Sequence, residues 1–185
     1  LDAGSWFDKK FSGEKIPLLA DVLSLCKDRI AVNIEIKTEA VKEAIRGGIE
    51  EKCLQIVNQI GMREYVVYSS FSPLALRHLR QLDSKAPIAV LFEKKYYDVK
   101  LPSEIVVSLK GNTFNCSHRE LNQRWLVDLK QHGIPVNVYT VNDEKSMKRF
   151  YARGVDGIFT NKPDVLRKVL DDLQQGMKIE AGNEK

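Results

Sequence analysis

Val32-Asn33-Ile34-Glu35-Ile36-Lys37 alternates apolar and polar residues with the two-residue period of a β-strand. Ile30, Val32, Ile34 and Ile36 then share one face, directed at a layer of helices, while Asn33, Glu35 and Lys37 share the other and enter a common interior. Polar groups inside a sheet's core need partners, because an unpaired buried charge is costly. Two readings follow. The three residues either form a network that only holds a barrel together, or they set a metal ligand beside a phosphate-binding cation.

Working outward, the chain repeats the same unit. Strand-type runs are predicted at Ile30–Lys37, Tyr65–Ser69, Ile88–Phe92, Thr113–Cys116, Val136–Thr140 and Gly157–Thr160. Helical segments are predicted from Glu39 to Ile60, Ser72 to Leu82, Arg119 to His132, Glu144 to Arg153 and Pro163 to Gln174, with a less regular connection from Phe92 to Thr113. Ser72-Pro73 and Lys162-Pro163 suit helix starts, and Gly61, Gly133 and Gly154 sit where helices stop. Units of roughly 20 to 30 residues that alternate strand and helix indicate a parallel α/β protein. A doubly wound sheet, covered on both faces, favours continuously apolar strands. Val32–Lys37 and Val136-Asn137-Val138-Tyr139-Thr140 alternate instead, which favours a barrel with polar residues toward the C-terminal ends of its strands. Six units are too few to close eight strands. The Gly-rich nucleotide motifs G-x-G-x-x-G and G-x-x-x-x-G-K-[ST] are absent.

The 185 residues, 43% of them hydrophobic, suffice for one core, and the whole of 1–185 reads as a single domain. Net charge is +4, but 29 basic and 25 acidic residues are interspersed, so nucleic acid is not an expected partner and a small anionic substrate is. Cys26, Cys53 and Cys116 lack C-x-x-C spacing, which predicts reduced thiols. No apolar run has the length of a membrane span and no signal-peptide pattern opens the chain, so a cytoplasmic location is expected.

Several motifs in fixed order carry a resemblance. Leu1-Asp2-Ala3-Gly4-Ser5-Trp6-Phe7 leads to Phe11-Ser12-Gly13-Glu14-Lys15-Ile16-Pro17; the Asn33-to-Lys37 strand follows, then Ser69-Ser70-Phe71-Ser72, Tyr139-Thr140-Val141-Asn142 and Gly154-Val155-Asp156-Gly157-Ile158-Phe159-Thr160-Asn161. The chain resembles the glycerophosphodiester phosphodiesterases over nearly all its length, with Tyr139 where Trp is usual and Asn161 where Asp is common. The resemblance implies a TIM (β/α)8 barrel of the PLC-like phosphodiesterase type, here about six of its eight β/α units, forming the C-terminal portion of such a barrel. Residues 1–16 become an excursion before the first helix, and 176–185 a flexible tail.

It also implies hydrolysis of a glycerophosphodiester to glycerol 3-phosphate and an alcohol, with a divalent metal cation, Ca or Mg, as cofactor. Glu35 matches a metal-binding carboxylate and Lys37 a cation that stabilises charge growing on the phosphate. Ser70, Phe71, His118 and Tyr139 are the candidate substrate-binding residues. The family's opening "HRG" and "E.D" strands and its "HDP" loop do not occur, so the acid and base histidines are missing. Alternatives are a phospholipase D-like enzyme on the same barrel, or a phosphate-binding or interaction protein that has lost catalysis. His78 is expected as a solvated helix residue, and His132, beside Gly133, as a favourable charge at a helix C-terminus.

Overall fold

Sequence patterning translates into six strands, each followed by helix, in a computed structural model that describes residues 1–97 and 100–183, with side chains as far as residue 175. The chain divides into two compact units, Leu1–Pro87 and Ile88–Lys185.

In the first unit, residues 1–18 fold around one carboxylate. Asp2 accepts hydrogen bonds from the backbone N–H groups of Gly4, Ser5 and Gly13 and from the Ser5 hydroxyl, at 2.6 to 2.9 Å. These donors, led by the Ser5 hydroxyl, hold the Asp2 carboxyl well below the usual carboxylate range. The excursion expected at 1–16 therefore has its own internal frame, and α1 (Leu19–Cys26) follows it. Next come β1 (Val32–Glu35), α2 (Ile49–Ile60), β2 (Val66–Ser70) and α3 (Pro73–Leu82). β1 and β2 are parallel, with Val32 opposite Val66 and Glu35 opposite Ser69. Ile34 and Ile36 are buried on the helix side as the alternation requires, whereas Ile30 precedes the strand and is exposed.

Two expectations fail here for local reasons. The helix predicted from Glu39 begins only at Ile49, because Gly47 takes a left-handed φ of +71° and its N–H is held by the Glu51 carboxylate at 2.7 Å. Before it only a single 3-10 turn forms, at Thr38–Ala40. His78, expected in solvent, is buried: α3 turns it toward α2, where it meets Glu50.

The second unit holds β3 (Ile88–Leu91), α4 (Lys94–Tyr97), α5 (Pro102–Ser108), β4 (Thr113–Ser117), α6 (Gln123–Gln131), β5 (Val136–Tyr139), α7 (Glu144–Arg153), β6 (Gly157–Ile158) and α8 (Pro163–Asn183). β3, β4, β5 and β6 pair in that order, all parallel. The irregular connection thus contains two short helices, and α5 starts at a proline as helix starts often do. The helix predicted from Arg119 starts at Gln123, since Asn122 caps it by accepting from the Trp125 N–H at 3.0 Å. Phe92, Phe114 and Trp125 form an aromatic cluster between β4 and α6, with the Phe92 and Trp125 rings 4.8 Å apart edge to face. The tail expected at 176–185 is helical backbone to Asn183, and its last two residues lie outside the described residues.

Both units repeat a parallel strand followed by helix, six such units in chain order among the described residues. The fold class is accordingly α/β, that of the TIM (β/α)8 barrel with about six of its eight units.

Candidate functional site

The parallel pairing of β1 with β2 puts the C-terminal ends of both strands at one end of the first unit, which is where a barrel carries its chemistry. Glu35 closes β1 and Lys37 follows two residues later on the same face. Lys37 Nζ lies 2.7 Å from Glu35 Oε1, and the side chains are 69% and 32% exposed. Both charges therefore sit at the open end of the strand, paired with each other and reachable by solute. One turn of the pleat deeper, Asn33 Nδ2 donates to Ser69 Oγ at 3.0 Å. The polar face predicted for β1 is present, and it consists of a charged rim over an amide–hydroxyl floor.

The remaining predicted residues are placed differently from one another. Ser70 does not face Glu35. It follows Ser69 in β2 and so points to the opposite side, where it is fully buried, donates its hydroxyl to Ile36 O at 2.7 Å and accepts from Ser72 N–H at 3.0 Å. Ser70 ties the end of β1 to the start of α3, and its neighbour Ser69 is the hydroxyl on the Glu35 face. Alternation in "SSF" could have told these two serines apart once the strand register was known. Phe71 is half-buried just past β2.

In the second unit, Tyr139 ends β5, half-buried, and donates its hydroxyl to Phe92 O at 3.1 Å. Its tip is thus fixed against the end of β3. His118 lies just past β4 with its Nδ1 3.2 Å from Tyr139 O and its ring edge-on to Phe150 of α7, 6.1 Å between centroids. That contact puts the imidazole on the helix side of the strand, so His118 supports the β5 end from outside. Polar residues missed from the sequence line the other face of these strands: Asn137 Nδ2 donates to Asn115 Oδ1 at 2.9 Å, in a register that sets Asn115 opposite Asn137 and Asn137 opposite Gly157. Asn142 Oδ1 receives the Asn161 backbone N–H at 2.9 Å and the Thr160 hydroxyl at 3.2 Å.

As a cation site the described residues are incomplete. A hard divalent ion takes six or more oxygens, usually including several carboxylates. Among the described residues no group of three or more His, Cys, Asp and Glu side chains converges, and the rim offers Glu35 alone. The donor set present does not by itself fit the ion.

The chain matches the model of the glycerophosphoryl diester phosphodiesterase family over residues 1–165. A glycerophosphodiester phosphodiesterase of Caldanaerobacter subterraneus is 30% identical over 167 residues, 90% of this chain and 66% of that protein. Among solved structures, a glycerophosphoryl diester phosphodiesterase from Silicibacter pomeroyi superposes with a TM-score of 0.80 at 23% identity, over 88% of this chain and 59% of that one. A phosphodiesterase from Oleispira antarctica, solved in complex with the product sn-glycerol-3-phosphate, gives 0.74 at 21% identity, over 92% of this chain and 67% of that one. The chain spans about two thirds of the length of such relatives.

Proposed function

We propose that this chain, which belongs to the glycerophosphoryl diester phosphodiesterase family, serves the hydrolysis of a glycerophosphodiester to glycerol 3-phosphate and an alcohol. The observation that carries this reading is the Glu35–Lys37 rim at the end of β1: an exposed ammonium beside a carboxylate, on a strand end matched to the family over its whole surroundings.

In the reaction, water adds its oxygen to phosphorus, the P–O bond to the leaving alcohol breaks, and a proton passes to the departing oxygen. Lys37 contributes a compact positive charge for a phosphate oxygen, most useful as charge gathers there in the transition state. To do so it exchanges its contact with Glu35 for one with substrate. Glu35 would then be one oxygen ligand of a divalent cation, Ca or Mg, whose other ligands the described residues do not supply. When bound, such an ion would polarise the phosphoryl group. Within the first unit, Phe71 is assigned to the wall that receives the substrate's organic groups. None of the three histidines is assigned the acid or base role: His78 is buried between helices, His118 braces β5, and His132 caps α6 with its Nδ1 2.8 Å from Asp128 O. The three cysteines are unpaired, which suits a reducing compartment, and we place the protein in the cytoplasm; among the described residues no helix is long and apolar enough to cross a membrane.

Release of glycerol 3-phosphate from glycerophosphocholine by the full natural chain tests the reading. Glu35→Gln and Lys37→Met are each expected to lower turnover by about 100-fold or more, the scale of losing one charge-stabilising group. Chelator is expected to abolish it. Unchanged turnover in both variants would overturn the assignment.

A further inference from the structure

Asn33 has no place in the chemistry just described, yet it sits on its face of the strand. It precedes Glu35 by two residues, so its Cα lies about 7 Å deeper along β1 on the same side. Its side chain is exposed, unlike the helix-side Ile34 and Ile36. The amide is also held in one orientation: Nδ2 donates to Oγ of Ser69, and Ser69 is itself fully buried and set opposite Glu35 by the strand register. A buried hydroxyl gripping an exposed amide spends order on a group that could otherwise turn freely in solvent. With Nδ2 directed at Ser69, the amide oxygen and the second N–H remain to address the interior. One acceptor and one donor side by side form the complement of a vicinal diol.

We infer that Asn33, oriented by Ser69, binds the glycerol hydroxyls of the substrate and thereby selects glycerophosphodiesters over phosphodiesters that lack a glycerol group. This inference rests on the reading of the Glu35–Lys37 rim as the phosphate end of the site. With phosphate at the rim, the glycerol arm extends inward along the polar face of β1 and reaches the amide. Ser69 acts as a positioning residue, and Asn33 as the specificity determinant.

The test compares kcat/KM of the full natural chain for glycerophosphocholine and for bis(p-nitrophenyl) phosphate, a diester with no glycerol. Asn33→Ala is expected to lower the first about tenfold, the worth of a hydrogen bond or two, and to leave the second within about twofold. Ser69→Ala is expected to shift the ratio in the same direction by less, and it gives the answer if the Asn33 variant does not fold. Lys37→Met serves as the control, with both substrates slowed. If Lys37→Met slows both and neither Asn33→Ala nor Ser69→Ala changes the ratio, the glycerol assignment alone is overturned. If Lys37→Met leaves both rates intact, or the wild type hydrolyses neither diester, the rim assignment falls and takes this inference with it.

Discussion

Glu50 Oε1 lies 3.2 Å from His78 Nδ1, and this contact between an acid and an imidazole, both buried, joins α2 to α3. The second carboxylate oxygen of Glu50 has no hydrogen-bond partner among the described residues, so His78 carries the compensation for a group cut off from water. Gly48 is the residue before α2, and a Cβ there would come within 2.8 Å of that same oxygen, which leaves little room for a larger residue.

Removing one partner should therefore cost far more than removing both. His78→Ala is expected to destabilise the protein by about 1 to 3 kcal/mol, the usual range when a buried polar group loses its hydrogen-bond partner. The double variant Glu50→Leu/His78→Ala should be less destabilised than the sum of the single changes. Urea denaturation of the four proteins in the cycle measures this coupling. Additive losses would mean that the two groups merely touch.

Asp128 of α6 is almost fully buried and accepts two hydrogen bonds from Ser103, its backbone N–H at 2.8 Å and its hydroxyl at 2.7 Å. It satisfies the free donor at the start of α5 from a neighbouring helix. Asp128→Ala should cost about 2 kcal/mol, between a lost cap and an unsatisfied buried donor. Ser103→Ala, which keeps the backbone contact, should cost less. Thermal melting of both variants gives the order, and equal losses would show that the hydroxyl, not the backbone cap, is the larger contribution.

Gly157 opposes Asn137 across β5 and β6, and a Cβ built on it would overlap the Asn137 amide oxygen. Gly157→Ala is expected to lose about 1 to 3 kcal/mol through overpacking. Asn137→Ala should recover much of the loss when combined with it. A stability measurement on the pair decides the matter, because strain unrelated to Asn137 would persist in the double variant.

Burial pushes the Cys116 thiol up to about 12, aided by the nearby Glu120, and burial likewise raises Cys53; Cys26 is half-exposed. At pH 8 a thiol-specific reagent should modify Cys26 first, with Cys53 and Cys116 protected until the protein unfolds. Because the folded protein favours the neutral Cys116 thiol, its contribution to stability is present below the thiol's unfolded value near 9 and is lost as pH rises toward 12. Labelling followed by peptide mapping, with denaturation curves at pH 8 and pH 10, checks both statements.

The repeat of strand and helix was legible because period-two alternation and helix-stopping glycines are local signals. The face of Glu35 and Lys37 was legible for the same reason: two residues apart on a strand leaves one answer. Less local features were hidden. His78 reads as a surface residue until α2 delivers Glu50 to it from 28 positions earlier. The two serines of Ser69-Ser70 are indistinguishable until register assigns one to the polar face and the other to the turn. His118 follows its strand at a position that suggests the interior, and only the packing of Phe150 shows that its ring turns the other way. The missing stretch of helix before Ile49 depended on a left-handed Gly47 whose turn is closed by Glu51, a pairing no periodicity reveals.

The contact between Glu35 and Lys37 also bears on how a substrate is recruited. Held 2.7 Å apart, the two groups present no net charge to their surroundings, so a distant anion meets the field of a dipole, which fades faster with distance than that of a lone cation. Long-range steering by this pair is weak, and its share of the encounter rate should be nearly indifferent to ionic strength. On the proposed reading, the lysine's positive charge would be fully felt only at contact, when a phosphate takes the carboxylate's place beside it.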